Sequence, residues 1–138
     1  MAEPCCPRTG LPMRRDVRPL TLAWKGRSIT VDMPGWYADA SDESVHTGDD
    51  MKVSDRALNR LKAEAEGLLL PEEIRRIRRK LGLSQREAGL VIGGGPQAFQ
   101  KYESGLILAS RAISSALRLL DRQPELLQEL RARAAEPA

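Results

Sequence analysis

The stretch LGLSQREAGLVIGGGPQAFQKYESG, residues 81–105, leaves this chain few options. Its three consecutive glycines, Gly93-Gly94-Gly95, end any helix that reaches them, because glycine enters positive φ without steric cost. Upstream, Ser84 is an N-cap residue, and Glu87 three positions later can return a bond to the Ser84 N–H, a capping box. Behind that cap, Ala88, Val91 and Ile92 fall on one face at i, i+3 and i+4. Downstream, Pro96 stands where a new helix would begin, a position that tolerates a missing N–H. The pattern predicts a short helix over 97–103 that buries Phe99 and Tyr102, shows Gln97, Gln100 and Lys101 on its other face, and stops at Ser104-Gly105. A capped helix, a glycine turn and a polar-faced short helix make a helix-turn-helix.

An ordinary helical hairpin with a solvated polar face shares that outline, and two features favour the more specific reading. Residues 71–81 form a basic helix carrying Arg75, Arg76, Arg78, Arg79 and Lys80. Gln97 and Lys101, four residues apart on one face, are residue types suited to base edges or phosphates. The net charge of +3 is also uneven: residues 1–70 hold 10 Lys/Arg against 11 Asp/Glu, and residues 71–138 hold 12 against 8. The basic half is the half with the motif, as a phosphate backbone would require.

Residues 71–105 resemble the Xre/Cro-like helix-turn-helix superfamily, whose Leu-Gly-Leu-Ser-Gln pattern is matched from Leu81 to Gln85. More narrowly, GGGPQAFQKYESG and the following ISSALRLLDRQPELLQEL resemble MqsA-type (YgiT-type) antitoxins, in which a triple glycine, a residue pair and Ala-Phe form a specific signature. The resemblance implies a dimeric repressor that places one recognition helix per protomer in successive major grooves of a palindromic DNA operator. It further implies a front domain that holds a cognate RNA-cleaving toxin. On this reading Gln97 and Lys101 meet base edges, with Gln100 as a further contact, while Ser84, Gln85 and Arg86 touch phosphate. Family members resemble this pattern with asparagine and arginine where this chain has Gln97 and Lys101, so its half-site sequence differs while the chemistry stays.

The front of the chain predicts a hairpin. Leu20, Leu22 and Trp24 alternate with Thr21 and Ala23, and Ile29, Val31 and Met33 alternate with Thr30 and Asp32. The pair Lys25-Gly26 lies between them as a two-residue turn. Strands are expected over 18–24 and 27–33, closed by Pro34-Gly35, with a polar surface loop over 41–50 that leaves His46 exposed, then a helix over 54–66. The Ala57, Leu58, Leu61 and Ala65 stripe of that helix reads as core.

The MqsA-type resemblance implies two Cys-x-x-Cys pairs holding zinc in this front domain. Here Cys6-Pro7-Arg8-Thr9 has threonine in place of the second thiolate, and Ala38 and Ser41 stand where the second pair belongs. Structural zinc needs four N or S ligands, so the expected site is a degenerate zinc ribbon without metal or other cofactor. Cys5 and Cys6 are then expected as reduced thiols near a loose terminus.

The expected fold is α+β: a small β-hairpin domain with one helix over 1–67, then an all-α domain of about five helices over 68–138. Leu68-Leu69-Leu70 should pack rather than be exposed. Ser110 caps a helix to about Asp121, and Gln123-Pro124 starts another. The Ile113-Leu117-Leu120 and Leu126-Leu127-Leu130 faces suggest a homodimer interface, and residues 134–138 a disordered tail. No catalytic constellation and no phosphate-binding loop is present, which points away from an enzyme. The start has no signal-peptide pattern and no apolar run approaches the roughly eighteen residues of a membrane span, so a cytoplasmic protein is expected. A repressor without a toxin partner, or an adaptor that keeps the helix-turn-helix only as a dimerisation scaffold, is the alternative.

Overall fold

The computed structural model describes residues 4–135. It is α+β: a three-stranded antiparallel sheet precedes six α-helices. Packing divides the chain into two compact units, one ending at Leu61 and one beginning at Lys62.

In the first unit, β1 (Arg14–Trp24) and β2 (Arg27–Tyr37) form the hairpin, and β3 (Ser44–Val45) pairs with the end of β2. Lys25 and Gly26 both have positive φ, 46° and 79°, as a type I′ turn demands, and this matches the strand twist. The strands run four residues further from the turn than the alternation predicted, and Pro34-Gly35 lies inside β2. Register explains the tolerance. The turn is flanked by the Trp24–Arg27 pair, and counting by twos puts the Pro19–Asp32 and Val17–Pro34 pairs at sites whose N–H and C=O face away from the partner strand. The Pro34 carbonyl accordingly receives His46 Nδ1 at 2.8 Å.

The stretch 41–50 is not a plain loop. It contains β3 and the start of α1 (Gly48–Glu66), which begins six residues earlier than its apolar stripe suggested. Thr47 and Asp50 cap it reciprocally, Thr47 N–H to the Asp50 carboxylate at 2.9 Å and Asp50 N–H to Thr47 Oγ at 3.4 Å. His46 is half-buried rather than exposed, bonded also to Ser44 Oγ and edge-on to Tyr37.

The second unit holds α2 (Pro71–Lys80), α3 (Gln85–Val91), α4 (Ala98–Ser104), α5 (Arg111–Arg122) and α6 (Leu127–Ala134), the last preceded by a 3-10 turn, Pro124–Leu126. Leu69, Ile74, Ile77, Leu83, Phe99, Leu117, Leu120 and Leu127 form its core, with Val91, Ile92, Tyr102 and Ile113 at the margin. Two carbonyls at the end of α1 and beyond are held by α5: Arg111 donates to Glu66 O at 3.2 Å and Arg118 to Gly67 O at 2.6 Å. The buried Ser114 hydroxyl accepts the Leu69 N–H between them. Part of the expected tail, residues 136–138, lies outside the described residues, and Ala134 itself ends α6. Among the described residues no helix is long and apolar enough to cross a membrane.

Candidate nucleic-acid interface

Helix α3 begins as its sequence requires. Glu87 N–H donates to Ser84 Oγ at 3.1 Å, and Ser84 N–H donates to the Glu87 carboxylate at 3.2 Å. The Ser84 backbone and side chain hold the Glu87 carboxyl below its usual range. The helix ends in the triple glycine, with φ of 141°, 97° and 92° at Gly93, Gly94 and Gly95. A second glycine requirement is less visible in the sequence: a Cβ on Gly89 would lie 1.8 Å from the Gly95 carbonyl oxygen. The turn therefore folds directly onto α3, and Gly95 N–H donates to Gly89 O at 3.1 Å.

Helix α4 starts one residue later than expected, with Gln97 as its N-cap rather than its first residue, since Pro96 and Gln97 belong to the turn. Its inner face is fixed by Phe99, fully buried, and Tyr102, whose rings meet edge-on at 5.5 Å. Gln97, Gln100 and Lys101 are exposed together on the outer side. Gly105, with φ 82°, ends the helix.

Glu103 is the residue that sequence reading missed. Its side chain is 1% exposed and accepts Arg78 Nε at 2.7 Å, Arg78 Nη2 at 2.9 Å and Arg75 Nε at 3.3 Å. Burial alone raises its carboxyl pKa, but bonds from Arg78, Gln85 and Arg75 outweigh that and lower it. Arg78 also donates to Leu83 O, so one guanidinium ties α2, the α2–α3 connection and α4 together. The signal was its spacing: position 103 follows Phe99 by four and shares its face.

The basic helix α2 consequently spends most of its charge internally. Arg75 and Arg78 face Glu103, while Arg76 and Lys80 grip Asp121 at 2.9 and 3.0 Å and pull its carboxyl down to about 2. Gln85, half-buried, is turned toward Glu103. Ser84 and Arg86 remain exposed at the start of α3. Arg79, Arg86 and Lys101 are the exposed cations of α2, α3 and α4 whose side chains make no bond among the described residues.

The expected dimer faces are only partly open. Leu117, Leu120 and Leu127 are consumed by the unit's own core. Leu126 of the expected faces stays open, 37% exposed, and Leu119 beside them is 62% exposed. With Ala116, Leu120 and Leu130 they line an open recess of about 230 Å³ rimmed by Glu129 and Arg133.

In the first unit, the four positions expected to form a degenerate zinc ribbon do lie together. Cys6 is 1% exposed, in a small core with Met13 and Ala38, and is thus not a loose thiol; Cys5 is exposed and both are free. Cys6 Sγ is 3.8 Å from Ser41 Oγ. The Thr9 hydroxyl and amide, the Arg8 amide and Ser41 lower the Cys6 pKa to about 7 against the effect of burial.

Comparison with known proteins matches residues 1–131 to the family described as the antitoxin component of bacterial toxin-antitoxin systems, MqsA. A similar protein is Antitoxin MqsA of Escherichia coli (strain K12), 32% identical over 120 residues that cover 83% of this chain and 89% of that one.

Proposed function

The chain belongs to the MqsA family of antitoxin components of bacterial toxin-antitoxin systems, and from that premise we propose that it is a dimeric DNA-binding repressor, acting by binding rather than catalysis. One observation carries the reading. The inner face of α4 is locked by Phe99, Tyr102 and the Glu103–Arg78 pair, while Gln97, Gln100 and Lys101 project together from the outer face. A short helix held so firmly from behind, with amide and ammonium groups in front, is suited to the major groove. Glutamine pairs with adenine and lysine with guanine. Arg86, Arg79 and Ser84 supply phosphate contacts that set register without reading sequence, and Gln85 contributes chiefly by steadying Glu103.

The second copy docks at the Leu119–Leu126 recess. Glu129 and Arg133 on its rim are self-complementary about a twofold axis, and a twofold dimer presents two α4 helices to two half-sites. The first unit takes the toxin partner. Its support is a long outer strand, β1, that leaves Val17 56% and Leu20 37% exposed. The protein works in the cytoplasm, where its DNA and toxin are.

The test is binding of the full chain to its own upstream DNA. Gln97→Ala or Lys101→Ala should cost about 1–3 kcal/mol per half-site and relax preference at one or two positions. Arg86→Ala should weaken specific and random DNA alike and reduce the salt slope by about one ion per contact. Unchanged affinity in both the Gln97→Ala and Lys101→Ala proteins would reject α4 as the reading helix and favour the adaptor alternative.

A further inference from the structure

Zinc is implied for the front domain by the family resemblance, and the residues present do not fit it. A tetrahedral structural site takes four thiolate or imidazole donors. The four positions that converge here bring one thiol, Cys6, two hydroxyls, Thr9 and Ser41, and the methyl group of Ala38. Among the described residues no group of three His, Cys, Asp or Glu side chains gathers in metal-binding distance. His46 is committed elsewhere, to Pro34 O and Ser44.

The backbone around these positions is nonetheless tightly bent. Cys6 N–H donates to Leu11 O at 2.7 Å, and Gly10 N–H donates to Cys6 O at 2.8 Å, closing a loop over 6–10. Gly10 has φ 72°, which this bend requires. The amides of Arg8 and Thr9 are directed at the Cys6 sulfur, the arrangement that stabilises a ligating thiolate. Opposite, Ala38 N–H donates to Glu43 O at 3.2 Å, which folds the 38–43 segment so that Ser41 faces Cys6.

We infer that this unit keeps the backbone of a metal knuckle and closes it without metal. Thr9 and Ser41 each bond to Cys6 where an ion would draw in thiolates, and Ala38 and Met13 fill the remaining space with apolar contact. Met13 is 0%, Cys6 1% and Ala38 5% exposed, so the inner part of the plug is closed to water, with exposed Thr9 and half-buried Ser41 at its rim. A zinc site makes folding conditional on the ion, because binding free energy is folding free energy. Here that condition has been removed, and the fold of the front unit is independent of zinc supply and of chelators. The inference stands apart from the DNA-binding reading, since every residue it uses precedes α1.

The experiment uses the full chain and zinc ion itself. Trp24 and Trp36 are the chain's two tryptophans and both lie in this unit, so their fluorescence reports its melting. Elemental analysis should find no stoichiometric zinc, and the tryptophan-monitored midpoint should not move on adding zinc or chelator. One tightly held zinc per chain, or a midpoint lowered by chelator, overturns the inference. The second arm restores the donors with Thr9→Cys, Ala38→Cys and Ser41→Cys together. That protein, refolded with zinc, should take up one ion per chain, show thiolate-to-metal absorption with cobalt, and melt earlier when chelated. If it folds but binds no metal, or fails to fold even with zinc, the retained-knuckle part of the inference is wrong. Cys6→Ser added to the three should abolish binding, whereas Cys5→Ser should leave it unchanged.

Discussion

Phe99, Ile74, Ile77 and Leu117 meet in the second unit with at most 1% of their surface exposed, whereas the hairpin of the first leaves Val17 and Leu20 largely in water. The first unit instead concentrates its order in small polar devices. Arg15 makes a bidentate pair with the buried Asp50 at 2.9 and 3.0 Å and stacks over Trp36. Arg18 lies over Tyr37, whose hydroxyl donates to Met33 O. The difference teaches how two units of one chain reach stability. A helical unit with a continuous core tolerates loss of a surface charge, whereas a sheet beside only small apolar clusters depends on geometry around single polar groups.

The largest effect that tests this contrast is Phe99→Ala. It should cost about 3–5 kcal/mol, because a large side chain leaves a cavity in a closed core. The helical signal in a urea melt should shift to lower concentration, and the tryptophan signal of the first unit should keep its midpoint. A common shift of both would show that the units unfold as one.

Asp50→Asn comes next, and its effect should be the reverse, lowering the tryptophan midpoint together with the share of the helical signal that α1 supplies, while sparing the share from α2 to α6. Bonds from Arg15 and Thr47 hold the Asp50 carboxyl well below the usual range. A depressed carboxylate stabilises above its unfolded pKa and loses that contribution as pH falls through the folded value. Acid should therefore loosen the first unit only below the ordinary carboxylate range, and the variant should lack that step. In the second unit, Asp121, at about 2, and Glu103 follow the same sign, so its helical signal should keep an acid transition in both proteins.

The smallest expected effect is at the α3 cap. Ser84→Ala should cost about 1 kcal/mol, read as a modest fall in the helical midpoint with no change in tryptophan. A cost near zero would mean that packing of the glycine turn on α3, not the cap, holds the helix in place.

The same contrast governs how much could be read from the sequence. The second unit follows the helical period, so Ala88, Val91, Ile92 and Phe99 were legible as inward, and Ser84 and the triple glycine as boundaries. Its errors arose where charge and packing are settled in three dimensions. Nothing local says that Arg75 and Arg78 serve Glu103, or that Leu117 and Leu120 are used up inside while Leu119 is left out. In the first unit the Lys25-Gly26 turn was plain, because its φ values demand such residues. The strand ends and the onset of α1 were not, since Pro34 reads as a stop and Thr47–Asp50 as loop until register and capping are known. The convergence of Cys6 with Ala38 and Ser41 was legible only through the family resemblance.

The segment from Glu66 to Pro71 looks in the sequence like an open seam: a glycine, three leucines and a proline. Its backbone is already engaged, with Glu66 O and Gly67 O held by Arg111 and Arg118, Leu69 N–H by Ser114, and Leu68 N–H by Ala63 O. A protease must lift several residues into its cleft, and here it would have to strip three side chains of one helix first. Nicking at this place therefore becomes a gauge of α5: the seam stays resistant while that helix is formed and opens when it frays.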